Sequence, residues 1–139
     1  MSKWYKGFSL IELMVVLVIM GLLAGLVGPR LFGKVDSSKV KTTQTQIKML
    51  KGALQTYRLD LGTYPTSAQG LAALQQAPGD ASKYWQGPYM DDELPQDAWD
   101  TAFQYQSPIN TAQGFALYSL GADRQRGGEG NDADIGYLP

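Results

Sequence analysis

Two sets of carboxylates stand where chemistry could be done. Glu12 is the one ionisable residue in Gly7-Phe8-Ser9-Leu10-Ile11-Glu12-Leu13-Met14-Val15-Val16-Leu17-Val18-Ile19-Met20-Gly21-Leu22-Leu23-Ala24-Gly25-Leu26-Val27-Gly28, which is otherwise apolar or small apart from Ser9. An isolated charge in lipid costs about 2.5 to 3.5 kcal/mol even on mild insertion scales, so a carboxylate kept there is expected to have a partner. The second set lies in the stretch from Leu120 to Tyr137, where Asp123, Glu129, Asp132 and Asp134 are interleaved with glycines. Carboxylates and backbone carbonyls on a sharply bending chain suit a hard cation such as calcium. The match to an EF-hand is poor, and a flexible acidic turn has the same composition. The chain has no His and no Cys, which removes His-containing zinc sites, Ser-His-Asp triads, Cys-His dyads and disulfides together.

The element that must position Glu12 is a helix. A run of about 20 apolar residues is what a helix needs to cross a hydrocarbon core, and Lys3 and Lys6 precede the run without nearby acids. Their positive charge is expected to hold the short leader in the cytoplasm and send the rest of the chain across the membrane. A secretory signal peptide has a shorter apolar region and does not normally carry a carboxylate at its start. An ordinary single-pass anchor accounts for the hydropathy and leaves Glu12 without a reason.

These residues resemble a known family. Lys6-Gly7-Phe8-Ser9-Leu10-Ile11-Glu12 is similar to the class III signal of type IV pilins and of the pseudopilins of type II secretion systems. The resemblance implies that a membrane-embedded prepilin peptidase cuts after Gly7, that Phe8 becomes the N-methylated N-terminus, and that Glu12 pairs with the terminal amine of a neighbouring subunit. The physics agrees, because an acid and an amine each left alone in lipid are costly and favour a register that joins them.

After this segment about 110 residues remain, enough for one modest core. Twelve basic and thirteen acidic residues give a net charge of -1, and no clustered basic surface points to nucleic acid. Pro29 follows the apolar run, so a kink or a melted turn is expected there. Gly21 and Gly25 have the spacing that lets membrane helices approach closely, though membrane helices also simply tolerate glycine. Further on, Val40, Ile47, Leu50, Leu54, Tyr57 and Leu61 are spaced by seven, three, four, three and four residues, which places them on one stripe of an amphipathic helix. Gly62 and Thr63-Tyr64-Pro65 end it. A helix continuous from Phe8 to Leu61 is about 80 Å long at 1.5 Å per residue.

Thr66-Ser67-Ala68-Gln69 has the form of a capping box opening a short helix to about Gln76. From Asp80 to Asp100 the chain is a loop rich in Pro, Gly and aromatics, expected to be either functional or pinned by its own side chains. Tyr84, Trp85, Tyr89 and Trp99 in that loop are expected to pack, with stacking on a sugar as the other reading. Asp91-Asp92-Glu93 reads as a solvated or subunit-contacting face. The segments 101–106 and 115–120 alternate and predict an antiparallel hairpin, part of a two- or three-stranded sheet covering the Val40 to Leu61 stripe.

The resemblance runs nearly end to end. Leu-Gly-Ala-Asp at 120–123, Gly127-Gly128 and Asp-Ala-Asp-Ile-Gly at 132–136 are similar to the C-terminal calcium loop of the major pseudopilins, the abundant subunits of the type II secretion pseudopilus. Tyr64-Pro65-Thr66, Gln69-Gly70-Leu71 and Leu94-Pro95-x-Asp97-x-Trp99 match as well. Ala98 and Asp100-Thr101 depart from the Pro and Gly-Asn common in the family, as do Arg124 and Arg126 in the loop and the ending Tyr137-Leu138-Pro139.

The resemblance implies an α+β, type IV pilin-like fold: a long N-terminal α-helix packed against a small antiparallel sheet, with a C-terminal metal-binding loop. The implied calcium ligands are Asp123, Asp132 and Asp134 through carboxylates and Leu120 through its carbonyl. Residues 1–7 are the cleaved leader, 8–29 the transmembrane and assembly helix, and 30–139 a periplasmic domain. The implied function is structural and not enzymatic: a single-pass inner-membrane subunit that polymerises into a periplasmic filament driving export of folded proteins. The implied partners are further copies of the chain, minor pseudopilins, prepilin peptidase, the inner-membrane assembly platform and the membrane itself. A type IV pilus subunit for adhesion or DNA uptake, a minor pseudopilin at the filament tip, and a membrane-tethered glycosidase using Asp or Glu are the other readings.

Overall fold

The computed structural model describes residues 2–79 and 83–139; the start of the aromatic loop, at 80–82, lies outside them. The chain divides into two compact units, one ending at Asp36 and the other comprising Ser37–Pro139. Helix α1, Leu10–Leu61, contributes to both and has Pro29 inside it. The turn around Pro29 stays helical, so the melted turn expected there is absent. A proline costs a helix one amide donor and a steric clash, which a long helix can carry without ending.

In the first unit the apolar side chains face outward. Leu10, Ile11, Leu17, Val18, Leu22 and Leu26 are each more than 60% exposed, and the apolar stretch is long enough to cross a bilayer with none of it buried within the protein. Exposure on that scale leaves the segment unstable in water and suited to lipid or to other helices.

In the second unit the amphipathic stripe is used from Ile47 onward as its spacing predicts, while Val40 is half-buried and lies outside the core cluster. Ile47, Leu50, Leu54 and Tyr57 are buried, joined by Thr43 and Ala53, while Leu61 packs at the edge of the same core. Gly62 ends the helix at φ 84°, its amide donating to the Arg58 carbonyl at 2.8 Å, a left-handed stop that suits glycine.

Against this stripe lies a three-stranded antiparallel sheet, β1 (Gln104–Gln106), β2 (Ala116–Ser119) and β3 (Ile135–Tyr137), in the order β1-β2-β3. Gln104 pairs with Tyr118 and Gln106 with Ala116; on the other side Leu117 pairs with Tyr137 and Ser119 with Ile135. Central β2 is buried along its whole length. Phe115 and Leu117 meet Leu50, Leu54 and Tyr57 in the core, each such side chain contributing about 1.5 to 3 kcal/mol on burial. β3 presses close. A Cβ on Gly136, at φ 127°, would collide with the Leu117 carbonyl and come within 3.0 Å of Ile47 Cδ1.

The capping box forms: the Thr66 amide donates to Gln69 Oε1 at 3.0 Å and the Gln69 amide to Thr66 Oγ1 at 3.2 Å. The helix expected to follow it to Gln76 is reduced to one 3-10 turn, Leu71–Leu74. Gly70, at φ 63°, separates the cap from that turn. Trp85 and Tyr89 of the aromatic loop pack on the core as expected, whereas Tyr84 is 61% exposed. Trp85 Nε1 donates to the Ala73 carbonyl at 2.8 Å, and Tyr89 Oη donates to Asp60 Oδ2 at 2.7 Å. Tyr57, Tyr89 and Trp85 form successive edge-to-face contacts with centroids 5.6 Å apart.

Candidate functional site

Glu12 occupies the first turn of α1. Its amide donates to Ser9 Oγ at 3.2 Å, and the Ser9 amide donates to Glu12 Oε2 at 3.3 Å. This is a capping box, and Ser-x-x-Glu at 9–12 is its signal in the sequence, lying within the apolar run. The helix start thus gives Glu12 a local donor and a favourable dipole, which reduces but does not neutralise the charge. The aliphatic part of Glu12 lines an apolar surface hollow together with Phe8, Ile11, Val15 and Val16. Gly7 lies in open space and Phe8 is 79% exposed, an arrangement that leaves the 7–8 bond accessible.

The C-terminal loop runs from Leu120, just after β2, to Asp134, just before β3. Its path is fixed by glycines at close approaches. Gly121, at φ 75°, lies where a Cβ would sit 2.8 Å from the Ala133 carbonyl oxygen, and Gly128, at φ 93°, where one would sit 2.6 Å from the Asp132 carbonyl oxygen. The Ala122 amide donates to the Asn131 carbonyl at 2.9 Å, closing the loop upon itself.

The expected ligands are placed unequally. Asp123 Oδ1 accepts the Gln125 amide at 3.0 Å, an Asx turn on the exposed surface. Asp132 ends the 3-10 turn Gly130–Asp132 and is exposed. Asp134 Oδ2 accepts the Gly127 amide at 3.1 Å, whereas its Oδ1 is buried with no hydrogen-bond partner. An unsatisfied buried carboxylate oxygen costs roughly 1 to 3 kcal/mol or more, and a cation would offset it. Leu120 is half-buried at the loop entry. Among the described residues no three acidic side chains form a cluster able to hold a metal. The structure thus does not bring the three expected carboxylates together; carboxylate oxygens are of the type a hard cation takes, and Asp134 Oδ1 is the one left without a partner.

Arg124, at φ 57°, swings away and donates from Nη2 to the Trp99 carbonyl at 3.2 Å. The 97–101 turn that receives it holds Asp100 at φ 59°, the left-handed conformation for which a glycine would be more usual.

An exposed, capped apolar helix carrying one acid, continued into a small α+β unit whose sheet covers the helix, defines a pilin-type filament subunit. A profile described as "Type II secretion system (T2SS), protein G" matches residues 30–138, and one described as "Prokaryotic N-terminal methylation motif" matches residues 5–28. The chain is 46% identical to type II secretion system core protein G of Pseudomonas aeruginosa, over 94% of this chain and 93% of that one. It is 43% identical to the corresponding protein of Vibrio cholerae, over 98% and 94%. The crystal structure of the major pseudopilin from the type 2 secretion system of enterohaemorrhagic Escherichia coli superposes with a TM-score of 0.61 at 29% identity, covering 77% of this chain and 92% of that one. The chain belongs to the type II secretion system protein G family, the structural major pseudopilins.

Proposed function

We propose that the chain is cut after Gly7 by prepilin peptidase, methylated on Phe8 and held in the inner membrane by residues 8–29, with residues 30–139 in the periplasm. From there the inner-membrane assembly platform adds it to a filament of its own copies, with minor pseudopilins, and filament growth moves folded proteins towards the outer membrane. The observation that carries this reading is the wholly exposed apolar face of α1 around Glu12. In the bilayer that face is covered by lipid and in a filament by sister helices, and the terminal amine of a neighbour neutralises Glu12. Calcium acts on the C-terminal loop, held by the Asp123, Asp132 and Asp134 carboxylates and the Leu120 carbonyl. There it satisfies Asp134 Oδ1 and fixes the loop between β2 and β3. The test is filament formation in cells that carry the complete secretion machinery. Wild-type chain is expected to yield shearable filaments and Glu12→Ala none, with processed subunit present in both; filaments from Glu12→Ala would overturn the pairing.

A further inference from the structure

Asp97 is almost fully buried, at 3% exposure, and nothing in the assembly of the helix calls for a carboxylate there. Its Oδ1 accepts the amides of Trp99 and Thr101 at 3.0 and 2.9 Å, and its Oδ2 accepts the hydroxyl of Ser119 at 2.6 Å. Ser119, fully buried at the end of β2, accepts the Gly121 amide on the same Oγ at 3.1 Å. Because a hydroxyl has one proton and two lone pairs, donation to Asp97 turns a lone pair towards Gly121. Gly121 is the residue whose backbone lies against Asn131 and Ala133, at the neck of the C-terminal loop. On the other side of Asp97, the Ala98 amide donates to Thr43 Oγ1, buried on α1, at 3.2 Å.

We propose that Asp97 is the positioning residue of the C-terminal loop: it sets the rotor of the Ser119 hydroxyl, which fixes the loop neck at Gly121 and ties it through Ala98 to Thr43 on α1. The loop is the one to which the proposed calcium reading assigns the ion, but the tether operates with or without a cation. Asn in place of Asp97 keeps an oxygen for the two backbone amides and presents its NH2 to Ser119. The hydroxyl must then accept from both sides, and its own proton is left buried without an acceptor. A carboxylate is therefore required by the direction of the hydrogen bond as well as by its charge.

The test uses the full mature chain in detergent micelles, read by amide hydrogen exchange in EDTA and again with calcium chloride. Asp97→Asn is expected to speed exchange at Gly121 and Ala122 by about tenfold or more, as loss of one buried hydrogen bond implies, with Leu50 and Leu54 unchanged. Ser119→Ala is expected to do the same, and the double variant to exchange no faster than Ser119→Ala, since both act through one hydroxyl. In the wild type the Ser119 hydroxyl proton is expected to be protected from water and visible by NMR. A folded Asp97→Asn chain with wild-type exchange at Gly121, an additive double variant, or a freely exchanging Ser119 hydroxyl overturns the proposal. Should Asp97→Asn not fold, the wild-type hydroxyl measurement decides it. Absence of any calcium effect on the wild type would refute the ion alone, because the Asp97 comparison is made within each condition.

Discussion

Glu12 has two jobs open to it, and Glu12→Gln separates them. As a cap it needs an oxygen to accept the Ser9 amide, and as an assembly residue it needs a negative charge. Glutamine keeps the oxygen and removes the charge. The capping contacts are exposed and lie at 3.2 and 3.3 Å, so their loss costs towards the low end of about 0.5 to 2 kcal/mol. An amine left unpaired in the bilayer interior costs about 2.5 to 3.5 kcal/mol on mild scales, which is roughly 60- to 300-fold in the equilibrium for adding a subunit. Glu12→Gln is therefore expected to reach the membrane at wild-type levels, show unchanged helicity by circular dichroism, and give almost no filaments in the sheared fraction. Ser9→Ala is the complementary change, removing the side-chain cap and keeping the charge. It is expected to assemble with at most a severalfold loss. Wild-type filament yield from Glu12→Gln, or abolition by Ser9→Ala equal to that by Glu12→Ala, refutes the argument that the charge is kept for a neighbour.

Intact-mass measurement of membrane-extracted protein is expected to show loss of residues 1–7 with gain of one methyl group; a full-length mass contradicts the processing reading. In micelles, calcium at about a hundredfold its dissociation constant is expected to stabilise the fold by about 2.7 kcal/mol, on the order of 10 °C in Tm. Asp134→Asn should abolish most of that rise, and an equal rise in both proteins removes Asp134 from the site. Burial pushes the Tyr105 hydroxyl up to about 12, and it donates to the Pro65 carbonyl at 2.6 Å. The unfolded chain ionises at about pH 10, so this contribution is fully present below that pH and is lost as pH rises towards 12. Solvent access to the half-buried ring reduces it to roughly 1 kcal/mol. Tyr105→Phe should flatten the fall in stability between pH 10 and 12, measured by urea unfolding; an unchanged slope counts against burial as the cause.

Features that depend on near neighbours in the chain were legible in advance. The α1 stripe could be read because 3.6-residue periodicity is local, and the Thr66-Gln69 box because both partners lie within one turn. The strands were harder. β3 is only Ile135-Gly136-Tyr137, and a strand built around glycine has neither alternation nor propensity to show. It exists because Leu117 and Ile47 lie where Gly136 lets the backbone come close, a fact of packing between segments far apart in sequence. The Asp97-Ser119 link spans 22 residues and was invisible for the same reason. Asp97 was noted only as part of a motif, whereas its burial gives the physical cause. At Pro29 the local rule allows a kink or a melted turn, and the turn stays helical.

Three carboxylates of this chain differ in how completely they are satisfied, and that difference separates their roles better than their positions do. Asp97 is buried with three hydrogen bonds on its two oxygens, so it has no remaining need and acts within the fold. Asp134 is satisfied on one oxygen and buried bare on the other, a state that costs free energy until a donor or cation reaches it. Glu12 has one oxygen engaged by its own helix start, and its aliphatic part joins Phe8, Ile11, Val15 and Val16 in an apolar hollow. In water that is nearly neutral, but in a membrane the same side chain becomes the most costly group in the segment. Among the described residues the fold leaves Asp134 Oδ1 without a partner and Glu12 in an apolar segment; on the proposed reading an ion completes the first and another subunit the second. If so, calcium and assembly are separable, and chelation should soften the C-terminal loop of the membrane-held subunit while leaving Glu12 pairing in preformed filaments intact.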